Sequence, residues 1–275
     1  MMAEEINCKQ GNTLANENVD PTHAVDGVRP HLNPIWKYSL SSLGVDSLVE
    51  VQLLLATFCT GIQDAISFPD FRCFASNQTG NTVVLAVGIA NYNYYASGSD
   101  PLFHFPNIAM SLGMFLAGAI ITGQLGNYFG GRRRGWQFVS NLAQTVMVMG
   151  AAGIQFSYDV QQTAKKTLVT VALLAFSSGA QVAAARAFRV PEITTAMATA
   201  AWVDLVIDPK LLGMRNHSRD RRALFLAALV AGSFAGAFMH SSIGTPLALI
   251  VSAAGKALVT AMMLLPKKNV ENQLP

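Results

Sequence analysis

Residues 64–90 read DAISFPDFRCFASNQTGNTVVLAVGIA. The stretch leaves an apolar helix, breaks at Pro69, runs through the polar knot Ser76-Asn77-Gln78-Thr79-Gly80-Asn81-Thr82 and re-enters an apolar run. In a soluble protein such a knot is a turn. Here the segments on both sides favour lipid, and backbone left unsatisfied in lipid costs several kcal/mol per group. A non-helical turn at membrane depth must therefore be buried in protein or line a wet cavity.

The whole chain has the composition of a membrane protein. Of 275 residues 51% are hydrophobic and only 13% charged, against about a quarter charged in soluble domains. The charges cluster between apolar runs of about 17–23 residues, the length a helix needs to cross a hydrocarbon layer. The net charge of +3 is too small to argue for nucleic acid, and the basic residues read as topology signals. Cys8, Cys59 and Cys73 have neither metal-like nor CxxC spacing, and the five histidines are scattered, so no metal site and no cofactor are expected.

Taken in order, residues 1–46 read as a polar, disordered N-terminal tail without the apolar core of a signal peptide. A transmembrane domain at 47–266 and a cytosolic tail at 267–275 follow. Strong spans are expected at about Ser47–Phe68, Asn107–Tyr128, Trp136–Phe156, Leu168–Phe188, Ala223–Ile243 and Pro246–Leu265. Two weak segments, Gln78–Tyr95 and Pro191–Ile207, interrupt them, and Asn91-Tyr92-Asn93-Tyr94-Tyr95 reads as an interfacial aromatic belt.

An internal repeat underlies this order. A gapless slide of 118 residues superposes Phe58 on Phe176, Gly61 on Gly179, Gln63 on Gln181 and Ala65 on Ala183. It also places Ala117-Gly118-Ala119 on Ala235-Gly236-Ala237. The halves are about 47–157 and 165–266, each with a broken or re-entrant weak segment, as in secondary transporters. Six spans place Lys37, Arg132–Arg134, Arg186, Arg189, the basic residues from Lys210 to Arg222, and Lys267-Lys268 on one side. Eight spans scatter these charges; seven separate them as sharply but break the symmetry. The fold expected is an all-α polytopic helical bundle of about six spans, with both termini cytosolic.

Gly61-Ile62-Gln63-Asp64-Ala65-Ile66-Ser67-Phe68, followed by Phe74-Ala75-Ser76-Asn77-Gln78-Thr79-Gly80-Asn81-Thr82-Val83, resembles the signature of the YoaK family. These are multi-pass membrane proteins of bacteria and fungi defined by a domain of unknown function, and the chain looks like a fungal-type member. The resemblance covers about Leu48 to Leu265. It implies a membrane location but no substrate or reaction. Asp64 and Thr79-Gly80 have no counterpart in the second half, where Val182 and Met197-Ala198 stand.

The residues themselves suggest a site. Ser76 or Asn77 is suited to cap a helix starting near Thr79, whose exposed amides and dipole would favour an anionic or carbonyl group. Asn81 would add a side-chain amide to the same cavity. The substrate-binding candidates are thus Gln63, Ser76, Asn77, Thr79, Gly80 and Asn81. The competing reading is an interfacial loop with a good N-cap. Asp64, a carboxylate inside a span, costs roughly 2.5–3.5 kcal/mol to insert and is a candidate proton or cation coupling group. Alternatively it reaches the interface from the helix end, with Gln63 and Thr60 as neighbours. Lys256, near the middle of the last span, is the second coupling candidate, with Asp64 or Asp204 as partner. The face of Gly113, Gly118 and Gly123, with Gly232 and Gly236, reads as close helix packing, and offers a homo-oligomer contact.

No HExxH, Walker or GxSxG motif is present. The first functional expectation is a secondary transporter or permease for an unidentified small molecule, in the lipid bilayer and by default in the plasma membrane. The rivals are a membrane-embedded enzyme on a lipophilic metabolite, with Asp64 and Glu192 as acid or base, and a non-catalytic scaffold or regulator.

Overall fold

The computed structural model describes residues 38–90, 104–157 and 165–265, and among these the chain is all-helical. After a helical turn at 38–40 come α1 (Ser47–Phe71), α2 (Gln78–Ala90), α3 (Phe105–Phe129), α4 (Arg134–Ser157), α5 (Lys165–Arg186), α6 (Thr199–Val206), α7 (His217–Ile243) and α8 (Thr245–Met262). The aromatic run at 91–95, the loop carrying Asp159 and the tail at 267–275 lie outside the described residues.

Several boundaries differ from the sequence reading, each for a local reason. α1 runs through Pro69 to Phe71 and stops at Arg72, which takes a left-handed conformation (φ 56°) and returns its N–H to the Phe68 carbonyl. Asn216 accepts from the Arg219 amide and so starts α7 at His217, drawing Arg219, Arg221 and Arg222 out of the expected loop and into the helix. The second weak segment is helical only over the eight residues of α6. Of the expected tail, residues 38–46 are anchored to the bundle through Leu43, which is buried and whose N–H donates to the Arg132 carbonyl at 2.8 Å.

The exterior is apolar in a way a soluble protein's is not. Leu116, Ile120, Ile121 and Leu125 of α3, and Leu224, Phe234 and Phe238 of α7, face outward, while buried glutamines, serines and threonines share the interior with two apolar clusters, one around Ile62 and Leu249 and one around Leu53 and Phe225. A lipid solvent favours that arrangement. Five helices, α1, α3, α5, α7 and α8, are long and apolar enough to cross a membrane. α4 falls below that apolar standard because Gln137, Ser140, Gln144, Thr145 and Gln155 line its buried face; its exposed residues include Val139, Leu142, Val146 and Met149.

α1 and α5 form the centre, each 61% buried over its apolar window, and α3 and α7 the flanks at 22% each. Small residues make these contacts close. A Cβ on Gly61 would lie 2.5 Å from the Leu229 carbonyl oxygen of α7. Gly232 abuts the Phe58 carbonyl of α1, Gly179 the Phe115 carbonyl of α3, and Gly118 the Phe176 carbonyl of α5, each too closely for a side chain. Gly236 packs on Ile62, whereas Gly113 and Gly123 meet nothing within 4 Å.

The two ends of the bundle are fixed by hydrogen bonds. At one, which holds both described chain ends, Tyr38 Oη donates to the Leu265 carbonyl at 3.0 Å and Arg221 pairs with Glu50 at 2.5 Å. At the other, Asn107 Nδ2 donates to the Phe71 carbonyl at 2.9 Å. The segment from Phe71 to Asn107 therefore leaves and returns at the same end. Asp70 there accepts from Thr245 and bonds His240 at 2.7 Å, joining α1 to the α7–α8 turn. The helices α1, α3, α4, α5, α7 and α8 consequently alternate in direction.

Candidate functional site

The polar knot closes on itself. Asp64 lies about two turns short of the end of α1 at Phe71, where both carboxylate oxygens reach the returning chain. Oδ1 accepts from the Ser76 amide at 2.7 Å and Oδ2 from the Ser76 hydroxyl at 2.5 Å. Asn77 accepts from the Gly80 amide at 3.1 Å and caps α2, which starts at Gln78. Asn81 is fully buried. Its Oδ1 accepts from the Phe74 amide at 2.8 Å, and its Nδ2 donates to the Phe74 carbonyl, Gln78 and Ser111. Thr79 faces outward, and Gly80 lies against the Phe74 ring. Asn81 thus spends its amide on the loop and on α3, where an open cavity was expected. Neither Gln63 nor Thr60 hydrogen-bonds Asp64.

A second polar cluster, which the sequence reading only touched, sits in the bundle core. Lys256 of α8 is 3% exposed. Its Nζ donates to Gln181 Oε1 of α5 at 2.6 Å and to Gln144 Oε1 of α4 at 3.2 Å. The expected pairing with Asp64 or Asp204 gives way to two glutamines; Asp204 lies 3.8 Å from Arg222. Gln181 Nε2 donates in turn to Thr60 Oγ1 at 2.8 Å and to the Ala56 carbonyl. One turn along α8 from Lys256, Ser252 accepts from Gln63 Nε2 at 2.9 Å, so Gln63 belongs to this core and not to the knot.

The core has hydrogen-bonding capacity to spare. A cavity of about 20 Å³, lined by Gln52, Gln137, Gln144, Gln181 and Thr195 among others, extends from the two glutamines toward the end that holds Tyr38 and Leu265. That is room for about one water. Both amide atoms of Gln52, the Thr195 hydroxyl and Gln63 Oε1 are buried without a protein partner. Buried polar groups normally find partners, so such a column calls for a ligand or water. An ammonium here, with no carboxylate within ion-pair distance among the described residues, attracts a negative charge or a carbonyl oxygen. Among the described residues no group of His, Cys, Asp and Glu is placed to hold a metal.

Two polar sites on a bundle with a lipid-compatible exterior define a multi-pass helical membrane protein. The chain belongs to the family described as protein of unknown function (DUF1275), which it matches over residues 52–262. No curated protein and no solved structure matches it.

Proposed function

We propose that the protein is a secondary transporter or permease for a small molecule, working by alternating access across a six-span bundle of two inverted halves. The observation that carries this reading is the buried Lys256–Gln144–Gln181 cluster, which joins α5 of the second half to α4 of the first through α8. A lone ammonium costs stability in the interior of a span, and such groups mark substrate or ion pathways. The substrate class that suits it carries a negative charge or a carbonyl oxygen.

The repeat is supported by contacts that correspond pairwise. Phe58 and Gly61 meet Gly232, Leu229 and Ser233; Phe176 and Gly179 meet Gly118, Phe115 and Ala119. The first helices of the halves correspond at an offset of 118, and the second at 114, four residues off the gapless alignment. α4, apolar outside and polar inside, serves as the sixth span. α2, at about 20 Å, is too short to cross a layer of about 30 Å and forms the re-entrant element. The basic residues from Arg132 to Arg134 and from Lys210 to Arg222 favour a cytosolic face for the end that holds Tyr38 and Leu265.

In this mechanism Asp64 is the coupling group. Protonation removes an acceptor from the Ser76 amide and loosens the knot formed by Ser76, Asn77, Thr79, Gly80 and Asn81 at the outer mouth. The cavity on the inner side has room for about one water, so in this conformation the path from the glutamines to that end is narrow. Gly113 and Gly123 are the faces left for a homo-oligomer, and a fungal-type place within the family belongs to the same proposal.

The test compares metabolites inside and outside cells expressing the wild-type chain, Lys256→Met or no protein. Transport predicts that one compound changes its distribution at constant total with the wild type only. Accumulation of a precursor with loss of its product on both sides overturns transport in favour of an enzyme, and no change overturns both.

A further inference from the structure

At the end that holds Tyr38 and Leu265, a cleft of about 770 Å³ opens between α3, α4 and α5. Three guanidinium groups, Arg132, Arg186 and Arg189, line it together with Trp136. Its α3 wall carries Ile120, 60% exposed on the outer, apolar face of the bundle. Gly130 in its lining holds φ +89°, where a side chain would be strained.

The charge in this cleft differs from its surroundings. At the same end Arg219, Arg221 and Arg222 each pair with aspartate or glutamate. The three cleft arginines form no ion pair among the described residues. Arg132 spends only Nε, on the Leu43 carbonyl at 3.1 Å, and Arg186 makes one long contact, to Met197 Sδ at 3.7 Å. Topology alone asks for positive charge anywhere on this side. It does not ask that three arginines without an ion pair share one cleft that continues into lipid-facing surface; Arg133, Arg134 and Arg215, also without an ion pair among the described residues, stand outside its lining.

We propose that this cleft binds the phosphate headgroup of an anionic phospholipid, its acyl chains lying along the Ile120 face of α3. Guanidinium forks match phosphate oxygens in geometry as well as charge, and basic pockets between membrane helices on the cytoplasmic side suit such headgroups. Trp136 supplies an indole at interfacial depth.

The full chain is purified in detergent, offered phosphatidylglycerol or phosphatidylcholine in mixed micelles, and its retained lipid is counted by native mass spectrometry. The wild type is expected to retain phosphatidylglycerol selectively. R186Q/R189Q, which alters two exposed side chains, is expected to lose about thirtyfold in that preference, at about fivefold per basic residue. R215Q removes a charge at the same end but outside the cleft and is expected to keep the preference. No preference in the wild type, or an equal loss in R215Q, overturns the proposal. Displacement of the lipid by inorganic phosphate at matched concentration would assign the cleft to a soluble anion instead.

Discussion

Removing the Gln181 side chain should destabilise the bundle more than removing Lys256, and removing both should be milder than removing Gln181 alone. Gln181→Leu takes away the 2.6 Å acceptor of a nearly fully buried ammonium. Leaving a buried charge short of a partner costs about 3–5 kcal/mol, which at about 2–4 °C per kcal/mol for a domain of this size lowers the melting midpoint by about 6–20 °C. Lys256→Met gives up two hydrogen bonds from a charged donor, about 1.5–3 kcal/mol each. It also removes the cost of holding the ammonium inside a span, about 2.5–3.5 kcal/mol. The balance lies between zero and about 3 kcal/mol of lost stability. In the double variant Gln181→Leu no longer strands a charge, so the midpoint should rise by about 4–8 °C over the single variant. Gln181's donations to Thr60 and Ala56 are lost in both backgrounds and cancel in the comparison. Thermal melting in one detergent, read by fluorescence-detected size exclusion, measures all four species. A double variant that melts at or below Gln181→Leu would refute the placement of the ammonium on Gln181.

Two further outcomes follow from the packing and the loops. Gly118→Ala drives a Cβ into the Phe176 carbonyl and should cost about 1–3 kcal/mol of overpacking; Gly123→Ala on the same helix meets nothing within 4 Å and should be neutral or gain up to about 1 kcal/mol in helix propensity. Equal melting shifts for the pair would refute the α3–α5 contact. In the loop before α7, the Lys210 amide and then the Asn216 side chain hold the Asp208 carboxyl below the ordinary carboxylate range. A depressed folded-state value means the turn is fully supported above the ordinary Asp value of about 4 and loosens as pH falls through the lower one. The protection of the amides at residues 208–219, taken relative to the intrinsic base-catalysed exchange rate at each pH, should fall in acid and stay flat between pH 5 and pH 8, and a loss of protection toward pH 8 would contradict the assignment.

The spans were legible because lipid demands length and apolarity, which composition reports directly. The helix ends were less so: α7 begins at His217 because a single asparagine caps it, a signal the run of arginines obscured. Gly118, Gly232 and Gly236 could be read as packing residues from their spacing, but not which helix each would meet, and Gly61 carried no such signal although it packs as closely on α7. Lys256 was legible as an anomaly; its partners were not. They lie 75 and 112 residues away on two other helices, and neither is a carboxylate. Glutamines scattered through apolar runs give no periodic signal, so a column of them appears only once α1, α4, α5 and α8 are placed side by side.

The same contrast weighs the two polar regions against each other. Ser76, Asn77 and Asn81 stood out in sequence because polar residues close together between apolar runs look like a binding loop, and Asp64 because a carboxylate inside a span is costly. Their hydrogen bonds run to one another, to Phe74 and to Ser111, and they spend most of their capacity on holding α1, α2 and α3 at one end. Gln52 and Thr195 attracted no notice singly, yet their amide and hydroxyl are buried with nothing to bond. A group that is satisfied stabilises the conformation it is in; a buried group that is unsatisfied gains only when something else arrives. On that argument the knot is the latch of the proposed transporter and the glutamine column its binding path. The two roles separate by experiment: Asp64→Asn should change how fast the protein cycles, and Gln52→Leu how tightly it holds its substrate.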